Sequence, residues 1–180
     1  QLPACIHGVR VLRGVEANVL DMDGTLDMES ADLEELEIVV ASMHRGLMPG
    51  GSVDDMSAAW TAIAKNPLVD IIGHSGDPFY AYDYETLIPL FGETGKIVEI
   101  NENTFAVRRQ SLDNCRKIAL LCKRYGVRIA LDSDAHYHAC VGSVPHCLEL
   151  LREVAFPPEL IVNGSKDAFQ NYMKERHISL

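Results

Sequence analysis

What most constrains this chain is a rhythm. Short runs rich in β-branched residues alternate with amphipathic stretches, and each run ends on a polar side chain. The runs Val9–Val15, Ile38–Met43, Val69–Gly73, Ile97–Ile100 and Val127–Leu131 lead to Glu16, His44, His74, Asn101 and the Asp132–His136 loop. From Glu16 to His44, His74, Asn101 and Asp134 the steps are 28, 30, 27 and 33 residues. One strand–helix unit takes about that many residues. The alternation predicts βαβ units and a parallel sheet, an α/β fold class. Each strand then delivers one polar group to the same end of the sheet. In a βα barrel that end, the C-terminal face, holds the site.

Between the runs, capping and periodicity predict helices. Asp23-Gly24 signals a turn after the first run, and a short acidic helix spans roughly 30–37. Ser52 caps a helix that buries Met56, Ala59, Trp60 and Ile63, and Asn66-Pro67 stops it. Asp83 caps the next, which Pro89 kinks and Gly95 ends. Ser111 caps a helix burying Leu112, Cys115, Ile118, Ala119, Cys122 and Tyr125, closed by Gly126. A helix after Ser143 buries Cys147, Leu148, Leu151 and Val154. Leu160–Val162 is a candidate sixth strand, followed by a last helix from about Lys166.

Composition narrows the class. A chain of 180 residues, 47% hydrophobic, suffices for one domain with its own core. With 23% charged residues and a mean hydropathy of +0.00, it is neither a disordered tail nor a membrane protein. The net charge of −10 argues against a nucleic-acid footprint, which needs clustered Lys and Arg. It permits a small anionic substrate held by metal ions. Five cysteines without a C-x-x-C pair predict a reduced, cytosolic protein. The chain starts Gln1-Leu2-Pro3, without Met or a basic-then-apolar leader, which predicts a processed chain or a piece of a longer one.

Imidazole and carboxylate donors together suit Zn, Mn or Fe rather than Ca or Mg. Taken singly, each has a structural alternative: a histidine after a strand is commonly a packing residue, Glu16 is a surface acid, and Asp132–His136 forms an Asx turn. Five donors at one per unit favour a shared site. Arg108 and Arg109 are candidates to clamp a phosphate as planar forks, against the alternative of solvated loop charges. Asn101 and Asn103 are candidates to touch substrate or to form a turn. His7, His138, His146 and His177 lack this placement and receive no role.

These residues carry a resemblance. The stretch Leu12-Arg13-Gly14-Val15-Glu16-Ala17-Asn18 resembles the third-strand motif of the PHP (polymerase and histidinol phosphatase) family, closest to its small stand-alone bacterial phosphatases. Ile71–Pro78 resembles that family's H-P-G-N/D-P strand end, and Glu99–Asn103 its E-I-N-N segment. Asp113–Arg116 also matches, Asp132–His136 is similar to its G-S-D-S/A-H, and Phe156–Asn163 to its final segment. The likeness runs in order through nearly the whole chain.

The resemblance implies a distorted (β/α)7 barrel of the TIM-like type, up to three divalent metals, and hydrolysis of a small phosphorylated substrate by metal-activated water. It implies Glu16 as the acid bridging two metals, His44 and His74 as ligands completing one of them, Asp134 as a ligand of the second, and His136 as a ligand of the third. Glu16 and Asp134 thereby become the candidate catalytic residues. The family's opening H-x-H strand and its T-D-H strand end have no counterpart here. A closed barrel of this type usually takes roughly 200–250 residues, so about two N-terminal βα units are expected to be missing or to sit in a separate segment. Two other functions fit the same residues: amidohydrolase-like C–N cleavage, and a truncated or degenerate metal-binding domain without catalysis.

Overall fold

The computed structural model describes residues 3–175. Gln1 and Leu2 at the start, and His177 near the end, lie outside the described residues.

The chain opens with a two-stranded antiparallel ribbon, β1 (Cys5–Ile6) and β2 (Val9–Arg10). The run expected from Val9 to Val15 is therefore not one strand. The Arg13 N–H is taken by the Glu37 carboxylate at 2.8 Å, and the backbone enters the main sheet only after it.

That sheet is parallel and five-stranded: β3 (Gly14–Asn18), β4 (Ile38–Ser42), β5 (Ile71–Ile72), β6 (Ile97–Asn101) and β7 (Ile129–Asp132), in that spatial order. The helices are α1 (Ser30–Glu34), α2 (Val53–Lys65), α3 (Tyr84–Glu93), α4 (Asn103–Val107), α5 (Leu112–Tyr125), α6 (Pro145–Glu153) and α7 (Lys166–Glu175). Sequential strand order means every crossover steps the same way. Right-handed crossovers then stack the connecting helices on one face of the sheet. Accordingly α3 packs against both α2 and α5.

The strands alternate between two cores with the period of two that a pleated sheet imposes. Val39, Ala41, Ile72, Val98, Ile100, Ile129 and Leu131 face the helix layer, where Trp60, Ile63, Ile88 and Phe91 meet them. Ile38, Val40, Ile71, Ile97 and Ala130 face the other side, covered in part by Phe169, Tyr172 and Met173 of α7.

Ser52 caps α2 in a full capping box with Asp55, and Asp83 caps α3 by accepting from the Thr86 N–H. Gly126 ends α5 in the left-handed region, at φ 68°. Other local expectations differ from the structure. Ser111 is helical and belongs to a short 3-10 turn, Arg109–Ser111, so its side chain caps nothing. Tyr125 and Leu148 are exposed, one at the fraying end of α5 and the other on the outer face of α6. The candidate strand at Leu160–Val162 is a 3-10 turn, Pro158–Leu160, followed by a single bridge from Ile161 to Ile129. The Leu160 and Ile161 N–H groups turn back to the Pro157 and Pro158 carbonyls, at 3.2 and 3.1 Å, and so are not offered to a neighbouring strand.

Gly73 brings the ends of β4 and β5 together. A Cβ at this position would stand 2.1 Å from Ser42 Oγ and 2.8 Å from Val40 Cγ1, so only glycine permits the approach. The next residue, His74, has φ 23°, an uncommon conformation for a side chain this size.

Candidate metal centre

Glu16 comes from the middle of β3, His44 from the loop after β4, and His74 from the loop after β5. Parallel pairing in register carries all three to the same rim, where one donor atom from each lies within 4.8 Å of the others. His74 Nε2 is 2.9 Å from Glu16 Oε1 and 3.2 Å from His44 Nε2, and His44 Nε2 is 3.6 Å from Glu16 Oε1. Ligands 2.0–2.1 Å from a tetrahedral zinc ion lie about 3.3 Å apart. The three separations bracket that edge, so the donor set has the spacing to hold a transition ion once His74 Nε2 gives up its proton.

The electrostatics agree with the geometry. The hydrogen bond from the His74 ring holds the Glu16 carboxyl down at about 2, against the opposing effect of burial. Burial, then the neighbouring His74, pushes the His44 ring below its ordinary range. One ionised acid beside a neutral imidazole is the donor state a cation requires.

Supporting residues fix these side chains. His44 Nδ1 lies 2.7 Å from Asn18 Oδ1. Asn18 in turn gives its N–H and its amide Nδ2–H to the two oxygens of Asp27. Asp27 only accepts, so Asn18 must present its oxygen, and His44 donates Nδ1–H and keeps Nε2 free. The His74 N–H donates to Glu99 Oε2 at 2.5 Å. Desolvation, and then the Asp132 charge, pushes the Glu99 carboxyl well above its usual range. Asp132 is raised to about 6, mainly by burial, with a hydrogen bond from Glu99 pulling it back. Glu99 and Asp132 are thus a pair of buried acids, both held above the usual carboxylate range by desolvation.

Asn18, Asp27, Glu99 and the pairing role of Asp132 escaped the sequence reading. Asn18 had one available signal: two residues past Glu16, it must share that side chain's face of the strand.

Asp134 stands beside this trio without joining it. It is 16% exposed, and its Oδ2 accepts from Asn101 Nδ2 at 3.2 Å, Asn103 Nδ2 at 3.3 Å and Arg108 Nη1 at 3.4 Å. Its φ is 47°, a second strained backbone at the rim. Asn101, read as a substrate contact, is buried and its amide is committed. The oxygen accepts from the Thr104 N–H and the nitrogen holds Asp134. Arg108 faces the centre, whereas Arg109 is exposed and lines a neighbouring cleft. The His136 side chain is 79% exposed, and its Nδ1 meets the Asp134 carbonyl oxygen at 2.9 Å.

The chain is similar to known bacterial proteins. It is 43% identical over 173 residues to a "Probable phosphatase" of Caldicellulosiruptor bescii, covering 96% of this chain and 72% of that protein. A "Probable phosphatase" of Acetivibrio thermocellus is 38% identical over 175 residues, 97% of this chain and 73% of its own length. No family model matches the chain.

Proposed function

The chain belongs to the family of these bacterial probable phosphatases, and on that premise we propose that it is a metal-dependent phosphoesterase acting on a small phosphorylated substrate. The carrying observation is the convergence of Glu16, His44 and His74 from three separate strand ends onto one point. Zinc, manganese or iron suits that donor set. Asp134 and His136 lie on the same rim and extend it toward further ions. A metal bound there supplies Lewis acidity and an activated water.

The chain's own residues do the rest. Glu16, ionised, sets the negative charge of the centre. Asn18 holds the His44 ring in the ligating tautomer, and Glu99 ties down the backbone of His74. Arg108 places a planar cation beside Asp134, suited to grip phosphate oxygens as charge moves onto them. Asn101 fixes Asp134 from below.

The PHP-type barrel is the reading of the architecture that the sequential strand order supports, since each crossover advances the same way. Further support comes from the sheet face that α7 covers in part. There a groove of about 370 Å³, lined by Ile38, Val40, Ile71 and Phe169, runs up to Glu16. An additional N-terminal segment of the same protein, adding strands at the β3 edge, would close it. The five free cysteines fit a reducing cytosol. Among the described residues no helix is long and apolar enough to cross a membrane.

Hydrolysis of p-nitrophenyl phosphate with added Mn or Zn tests this function. Turnover that needs the metal and falls by orders of magnitude in Glu16→Gln is expected. Metal binding with no phosphate release would leave a non-catalytic metal-binding domain instead.

A further inference from the structure

We propose that the cleft beside Asp134 binds the organic part of the substrate and selects one that carries a planar aromatic group. This rests on the phosphoesterase reading of the adjoining centre. The cleft has a volume of about 770 Å³ and is bounded by α4 on one side and the loop from Ser133 to His146 on the other. Asp134 and His136 line it, so a phosphate held at the rim would leave its ester group pointing along it. That volume lies in the range of pockets for whole organic ligands and far exceeds what a phosphate alone occupies.

Aromatic side chains line part of the cleft. Phe105 packs against the main core, and the His146 ring stacks on it, with centroids 5.4 Å apart and planes 18° from parallel. Glu102 holds His146 in that orientation, its Oε1 lying 2.5 Å from Nδ1. Tyr137 and Val107 also line the cleft and are 60% and 63% exposed. Such open apolar surface suits a ligand that carries an aromatic ring. Arg109 adds a guanidinium, which stacks on ring faces.

The two carboxylates of the cleft do not oppose this. Glu102 is committed to His146 and to the Cys147 N–H, and Asp134 to Arg108 and the asparagines. In an otherwise acidic chain, the cleft offers rings and the Arg109 guanidinium.

Two non-hydrolysable probes of equal charge test the inference: 2-phenylethylphosphonate and ethylphosphonate, titrated calorimetrically into the Mn-supplemented protein. The phenyl probe should bind about tenfold tighter, the amount one good aromatic contact contributes. Tyr137→Ala, at an exposed position where folding is not at stake, should narrow that ratio several-fold, and Phe105→Ala should abolish it. Equal affinities, no binding of either probe, or a ratio untouched by both variants would overturn the inference. Turnover of the corresponding esters is read separately. A phenyl preference in binding without phosphate release would sink the phosphoesterase reading and leave the cleft assignment standing.

Discussion

The Nδ1 atom of His44 lies 2.7 Å from the amide oxygen of Asn18, and this one contact decides which ring nitrogen faces Glu16. Without it, the imidazole is free to flip or to carry its proton on Nε2, where a metal must bind. Removing such a supporting hydrogen bond typically weakens metal affinity about 10–100-fold. Asn18→Ala should show that loss in a chelator-competition titration while the fold survives. Undiminished affinity would mean the ring is held by packing alone.

Gly73 is the second point on which the centre depends. Alanine there places a Cβ 2.1 Å from the buried Ser42 Oγ, and β4 and β5 must separate to admit it. Overpacking of this kind costs about 1–3 kcal/mol. Gly73→Ala should lower the thermal midpoint and weaken metal binding together, because His44 and His74 move apart. A variant that loses neither would show that the strand ends tolerate more space than the contact implies.

Convergence of Glu16, His44 and His74 was legible in the sequence because strand-end spacing is a one-dimensional signal. A parallel sheet converts intervals near thirty residues into adjacency. The supporting residues were not legible, because their partners depend on how loops fold back. Asp27 reaches Asn18 only through the turn at Gly24, and Glu99 meets the His74 backbone across the β5–β6 pair. Arg108 and Arg109 are adjacent in sequence, yet one points at Asp134 and the other at the cleft. His146 received no role because it follows no strand, although it stacks on Phe105. Hydrophobic periodicity located the helices well but misjudged two positions, Tyr125 at the end of α5 and Leu148 on the outer face of α6, which escape the core.

Glu102 gives the fold a pH dependence. Burial raises its carboxyl, but hydrogen bonds from the Cys147 and His146 N–H groups and the His146 ring outweigh this and hold it below the usual range. A depressed carboxyl contributes stability above its unfolded value, near 4.5, and loses it as pH falls below that. Charge-assisted bonds of this sort contribute about 1.5 kcal/mol. Glu102→Gln should therefore be less stable at pH 7, with the gap in thermal midpoint closing as the pH drops below 4.5. A constant gap would show that the carboxylate charge is not what anchors the start of α6.

Arg108 separates substrate binding from metal binding. Arg108→Met should raise KM for a phosphorylated substrate about tenfold or more, as expected for loss of a charge-assisted grip, with metal content retained. A fall in kcat with KM unchanged would place the guanidinium in transition-state stabilisation alone.

The most direct measurement of the central claim is metal stoichiometry. The chain is equilibrated with Zn or Mn, desalted, and weighed by native mass spectrometry beside elemental analysis. At least one retained ion per chain is expected, lost in Glu16→Gln, His44→Ala and His74→Ala alike and kept in the distant control Glu153→Gln. A chain that retains no ion, or one whose occupancy is indifferent to those three substitutions, would contradict it.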